Sequence, residues 1–318
     1  MRAATIVEGE IVVAERPPPE PGTGEVLVRV FAAGLNGADL MQRQGFYPPP
    51  PGVPADIPGL EIAGEVVAAG PGVTRLSLGD RVMAVVAGAG QAELAVVHER
   101  LAMPVPVSID WPEAGGFPEV FTTAHDALFT QCGLQMGERV CVHGAAGGVG
   151  TAAVQLAAAA GAWVTATVRN EELRDAVAAL GSEAGWTSVV APGAFVEHGP
   201  YDVILELVGA PNLAANLATL DTWGRISIIG VGAGARAEID LSALMRSRGA
   251  IRGSTLRTRS LEEKADAARR VERHVLPLLD AGDVRVPVAE TFPLAEAAAA
   301  YDRFAAGGKL GKIVLTMD

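Results

Sequence analysis

The sequence predicts an α/β protein in which a doubly wound parallel sheet is inserted into a β-rich domain. Alanine, valine and glycine dominate while aromatics make up only 5% of the chain, a mix that suits parallel strands under tightly packed helices. The N-terminal part reads as valine-rich strands, and from about residue 117 strand and helix patterns alternate. At 318 residues the chain accommodates two domains.

Each element follows from its local pattern. Glu25 to Ala32 alternates apolar and polar residues, and Glu61 to Ala69 and Gly79 to Ala87 are valine-rich runs bounded by glycine. Pro17 to Pro21 and Pro48 to Pro51 read as stiff loops between these strands. In the alternating section, strands are expected over 138–143, 163–168, 201–207, 225–231 and 250–255, with helices over 149–160, 171–180 and 212–220. A charged helix, Leu261 to Leu279, then leads back to short strands ending in Lys312 to Thr316. The expected domains are 1–116 plus 258–318 for the β-rich part, and 117–257 for the parallel sheet.

A formal net charge of −12 argues against nucleic acid and anionic membranes as partners. Two cysteines, Cys132 and Cys141, are too few for a disulfide framework or a four-cysteine zinc site, which points to the cytoplasm. Met1 to Val7 shows no long apolar run of the signal-peptide kind. Thr151 to Val168 approaches membrane-spanning length, but Gln155 and Gly161 interrupt it, so a buried helix followed by a buried strand is expected.

Residues 140–150 read VCVHGAAGGVG, a strand running into small residues and then a helix. Small residues let the backbone turn tightly and approach a pyrophosphate, while the free N–H groups of the helix start face the anion. The spacing is A-x-G-x-x-G at Ala145, Gly147 and Gly150, with Gly148 and Val149 between, and it stands in the strand–turn–helix context a dinucleotide site requires. The next strand ends Thr167-Val168-Arg169-Asn170, without the acid that binds a ribose 2′-hydroxyl. An arginine there pairs with a 2′-phosphate instead, so NADPH is the expected cofactor, with Arg169 and Asn170 at its phosphate.

These motifs resemble the medium-chain dehydrogenase/reductase superfamily over essentially the whole chain. The resemblance rests on Pro21 to Val26, Asn36 to Asp39, Pro58-Gly59-Leu60-Glu61, Gly79-Asp80-Arg81-Val82, GAAGGVG and Gly311-Lys312-Ile313-Val314. NGADLMQRQGFYPPPPG, PGLEIAG, FPEVFTTAHDAL and GSTLRTRS are similar to the quinone oxidoreductase branch, which includes the zeta-crystallins. The resemblance implies a Rossmann domain inserted into a GroES-like catalytic domain. It also implies cofactor contacts from Asn36, Thr123, Val208, Val231, Leu256, Arg257 and Lys312 beside the glycine turn. Val231 independently falls at the C-terminal edge of the parallel sheet, where ligands gather. Close relatives carry a lysine and a tyrosine around the 2′-phosphate where Leu173 and roughly Ser188 stand here, which leaves more of the recognition to Arg169 and Asn170.

The same resemblance speaks against zinc. The alcohol dehydrogenase branch has a cysteine where Asn36 stands and Gly-His-Glu where Gly59-Leu60-Glu61 stands, and leucine supplies no ligand. None of His98, His125, His143, His198 and His274 shares a zinc-ligand spacing with another. A reductase without a Lewis acid needs acceptors that take hydride readily, which points to quinones or related conjugated carbonyls.

The candidate catalytic residues are Asn36, Asp39, Arg43 and Tyr47. Asn36 can hydrogen-bond the acceptor or the cofactor ribose, Asp39 and Arg43 are one helical turn apart and can pair, and the Tyr47 phenol can donate a proton. Arg257 is read as a phosphate ligand or a surface cap. A 2-enoyl thioester or enone reductase using Tyr47, and a non-catalytic NADPH-binding protein of the crystallin kind, are the competing functions. The strand around Arg248 to Ser254 corresponds to an edge strand that relatives pair across a two-fold axis, so a homodimer is expected.

Overall fold

The structure is a computed structural model that describes residues 1–181 and 186–317. The chain divides into two compact units. One comprises Met1–Thr122, Leu256–Gly308 and the chain from Lys312 onward; the other comprises Thr123–Thr255 and Lys309–Gly311.

The first unit is built on a seven-stranded sheet. In spatial order its main path runs Val288–Pro293, Lys312–Thr316, Glu25–Gly34, Glu61–Ala69, Arg81–Val85 and Met103–Pro104, and Leu94–His98 pairs with Glu25–Gly34 off that path. Glu25–Gly34 alternates buried and more open positions as its sequence does, so Val26, Val28 and Val30 enter the core. A hairpin of Arg2–Val7 and Glu10–Glu15 stands apart from this sheet, an element the sequence pattern did not isolate.

The second unit holds six parallel strands: β1 Arg139–Val142, β2 Trp163–Thr167, β3 Thr187–Val190, β4 Tyr201–Glu206, β5 Leu220–Ile228 and β6 Ala250–Gly253. Their spatial order is β3-β2-β1-β4-β5-β6. The order reverses between β1 and β4, so the loops leaving their C-terminal ends diverge and open a crevice. The helix Gly148–Ala159 and β2 together account for the long apolar run. Among the described residues no helix is long and apolar enough to cross a membrane.

Four expectations need correction. Strand β3 was absent from the sequence reading; it has only four residues and no strong alternation. The expected helix 171–180 is a 3-10 turn, Glu171–Leu173, followed by a short α-helix, Arg174–Ala178. Strand β5 begins at Leu220, five residues before its expected start at Arg225. The expected helix Leu261 to Leu279 is two, Leu261–His274 and Leu276–Ala281. Pro277 explains the break: with no N–H and a fixed φ it is tolerated only in a first turn.

Candidate functional site

In the second unit the glycine turn follows β1. Gly144 has φ +64°, a left-handed conformation that favours glycine, and the N–H of Ala145 donates to the Thr167 carbonyl of β2 at 3.1 Å. Gly147 caps the helix Gly148–Ala159. A Cβ on Gly150 would lie 2.5 Å from the Gly144 carbonyl oxygen and 2.6 Å from Ala145 Cα, so only glycine lets the helix come this close. Residues Ala146 to Val149 stay half-buried, leaving the turn reachable. Gly311 also joins this turn, donating to the Ala146 carbonyl at 2.8 Å, a contact that no local pattern announces.

Beyond β2, Arg169 is exposed and makes no hydrogen bond or ion pair among the described residues. Asn170 turns the chain, its side-chain oxygen accepting from the Glu172 N–H at 3.2 Å. The neighbouring Arg174 is anchored to the Val168 carbonyl and to Glu171.

A buried polar network that the sequence reading missed supports the loop after β4. One Glu206 oxygen accepts from the N–H groups of Val208 and Gly209, each at 2.7 Å, and the other from the Asn216 amide at 2.8 Å. Asn216 thus presents its carbonyl oxygen to His143 Nε2, 2.8 Å away, so that nitrogen carries the proton and Nδ1 accepts from Thr167. Burial pushes the His143 imidazole down, keeping it neutral. The network fixes the backbone of Val208, while Val231 is 37% exposed nearby in sequence order after β5.

In the first unit a second buried polar cluster forms around the helix Gly37–Arg43. Asn36 donates its amide to Glu61 at 2.9 Å and accepts from the Lys312 ammonium at 2.8 Å. Lys312 also donates to the Leu35 carbonyl at 2.6 Å and pairs with Glu61 at 2.6 Å. Its three N–H bonds are therefore all engaged within this cluster. The remaining Glu61 oxygen accepts from the Glu119 N–H at 2.9 Å, at the start of the helix Pro118–His125.

Asp39 accepts from the N–H groups of Asn36 and Gly59 at 2.8 and 3.1 Å and more weakly from the Gln91 amide. Gln91 in turn accepts from the Tyr301 hydroxyl at 2.8 Å. Burial outweighs the N–H donors and pushes the Asp39 carboxyl up to about 6. Burial, reinforced by the adjacent Glu61, pushes Glu119 up to about 8.

The other expected residues fall as follows. Arg43 does not pair with Asp39; it pairs with Glu10 at 2.7 Å and donates to the Gly9 carbonyl. Helical spacing allowed the Asp39 pair, but Asp39 points inward to backbone donors while Arg43 reaches the hairpin. Tyr47 is half-buried, with the Arg257 guanidinium 4.9 Å from its ring centre. Arg257 is no surface cap: it is 4% exposed and donates to the carbonyls of Ala87 and Tyr47 and to Gln42, binding three segments together. Leu256 and Thr123 are each 7% exposed. Cys132 and Cys141 are free and buried.

Residues 22–132 match the family model described as alcohol dehydrogenase GroES-like domain, and residues 185–315 match the one described as zinc-binding dehydrogenase. The chain is 32% identical over 309 residues to the quinone oxidoreductase of Rattus norvegicus, covering 94% of this chain and 91% of that protein. It is 36% identical over 302 residues to the spectinabilin polyketide synthase system protein NorB of Streptomyces orinoci. That match covers 92% of this chain but only 13% of NorB. A mycobacterial protein solved in complex with NADPH superposes with a TM-score of 0.88 at 26% identity, over 99% of this chain and 100% of that one.

Proposed function

The chain belongs to the medium-chain dehydrogenase/reductase superfamily, in the branch of the quinone oxidoreductases, and from that premise we propose that it is an NADPH-dependent, metal-independent reductase of quinones or related conjugated carbonyls. Members of this superfamily are oxidoreductases that bind a nicotinamide cofactor and act on small molecules.

The observation that carries the metal-free reading is the Asn36–Glu61–Lys312 cluster. Zinc wants thiolate, imidazole or free carboxylate donors in a tetrahedral set. Asn36 here spends its amide and its carbonyl on Glu61 and Lys312, and Leu60 offers no donor. The Glu61 carboxylate already faces an ammonium at 2.6 Å. These residues do not fit a zinc ion, and Lys312 supplies the positive charge. Among the described residues no three His, Cys, Asp or Glu side chains are grouped to hold a metal.

The turn from Gly144 to Gly150 fits a pyrophosphate, and unpaired Arg169 with Asn170 fits a 2′-phosphate. A bound nicotinamide supplies the electron pair as hydride. In the first unit Lys312 sets its positive charge 2.8 Å from the Asn36 carbonyl oxygen, which favours negative charge developing on an acceptor oxygen held there. The likeness to a polyketide synthase protein favours a second reading, reduction of 2-enoyl thioesters, with Tyr47 as the acid. Strand β6 lies at the edge of its sheet, consistent with pairing in a homodimer, and the reading places the enzyme in the cytoplasm.

The test is NADPH consumption by the purified protein with a simple ortho-quinone, an enone and a 2-enoyl thioester in parallel. Turnover of the first two above the enzyme-free rate supports the proposal. Turnover of the thioester alone, lost in Tyr47→Phe, moves the assignment to the second reading.

A further inference from the structure

The cluster beneath Asn36 contains more acid than base. Three carboxyls, Asp39, Glu61 and Glu119, interact with two cations, Lys312 and Arg257. In a low-dielectric setting an unbalanced negative charge is costly, so one carboxyl keeps a proton. Geometry decides which. Asp39 is 1% exposed and accepts from two backbone N–H groups, and Glu61 is 0% exposed and takes Asn36, Lys312 and the Glu119 N–H. Both are committed to those donors, and neither has an open path to a bound molecule.

Glu119 differs on both counts. Its backbone is fixed beside Glu61 by its own N–H, yet its carboxyl accepts no hydrogen bond and forms no ion pair among the described residues. It is half-buried, so part of it remains reachable. Resting on the reductase reading above, we propose that Glu119 is the proton donor of this site. A bound reduced nicotinamide would supply hydride to the conjugated carbon of an acceptor, whose double-bond electron pair would shift toward the carbonyl oxygen. The Glu119 O–H bond then breaks, the proton bonds to that oxygen, and the carboxylate is reprotonated from water.

Glu119→Gln keeps the size and removes the acid, and Glu119→Asp restores an acid on a shorter arm. One readout is independent of turnover: the infrared carbonyl band of a protonated carboxyl, followed with pH. The wild type should lose this band as pH rises through about 8, and Glu119→Gln should lack it. The second readout is the pH profile of enone and ortho-quinone reduction with NADPH. For the enone, Glu119→Gln should lower kcat about 100-fold, with the fall near that pH gone and the KM for NADPH unchanged; Glu119→Asp should regain part of the rate. A wild type without the band, or a Glu119→Gln enzyme with the wild-type kcat and pH profile, overturns the donor role while leaving the reductase reading intact. A wild type that turns over neither acceptor overturns the reductase reading, and the donor role with it.

Discussion

The Lys312 ammonium lies 2.6 Å from a Glu61 oxygen, with the two side chains 3% and 0% exposed. Lys312→Met would leave Glu61 charged, buried and without its cation, a change that costs about 3–5 kcal/mol. Urea unfolding should show that loss, and adding Glu61→Gln to Lys312→Met should recover a substantial part of it. A loss below about 1 kcal/mol in the single variant would mean the pair is not the electrostatic centre of this unit.

Arg169, beyond β2, is exposed and makes no ion pair among the described residues. Arg169→Ala should raise the KM for NADPH about tenfold or more and leave that for NADH within about twofold, since one 2′-phosphate contact is worth roughly 1.4 kcal/mol or more. Equal effects on both cofactors would assign Arg169 to the surface.

Stability should depend on pH with a definite sign. Asp39 is pushed from 3.8 up to about 6 and Glu119 from 4.5 up to about 8, so the folded chain retains protons that the unfolded chain has released. Their contribution is complete below the unfolded values and lost as pH rises through the folded ones. The urea midpoint should therefore fall between about pH 4 and pH 8, and Glu119→Gln should flatten the upper part of that fall. An identical slope in the variant would contradict the raised Glu119 value.

Gly150→Ala would place a methyl group 2.5 Å from a backbone oxygen in the Gly144 turn. Neither backbone can yield cheaply, so a cost of about 1–3 kcal/mol in thermal unfolding is expected, together with weaker NADPH binding by fluorescence titration. Wild-type binding in the variant would remove this turn from the cofactor site.

The parallel sheet and the glycine turn were legible because their signals are local: apolar runs of strand length, and small residues between a strand and a helix. The break at Pro277 was missed, although proline ends a helical pattern, because the segment was read as one charged helix. The Asn36–Glu61–Glu119–Lys312 cluster was not legible, because four distant segments build it and no spacing along the chain records their meeting. The Asp39–Arg43 expectation failed for the same reason. Helical spacing makes a pair available, but Glu10, brought in by the hairpin, decides where Arg43 goes. Only the glutamate after Pro118, an acid among Phe117, Val120 and Phe121, offered a hint of Glu119.

Metal-free chemistry is tested by ortho-quinone reduction with NADPH by protein dialysed against a strong chelator, with its metal content measured in the same sample. Turnover should be undiminished at a metal content far below one ion per chain and unchanged when zinc is added back. Activity that vanishes on chelation and returns in proportion to added zinc would contradict the role given to Lys312 and the metal-free chemistry built on it.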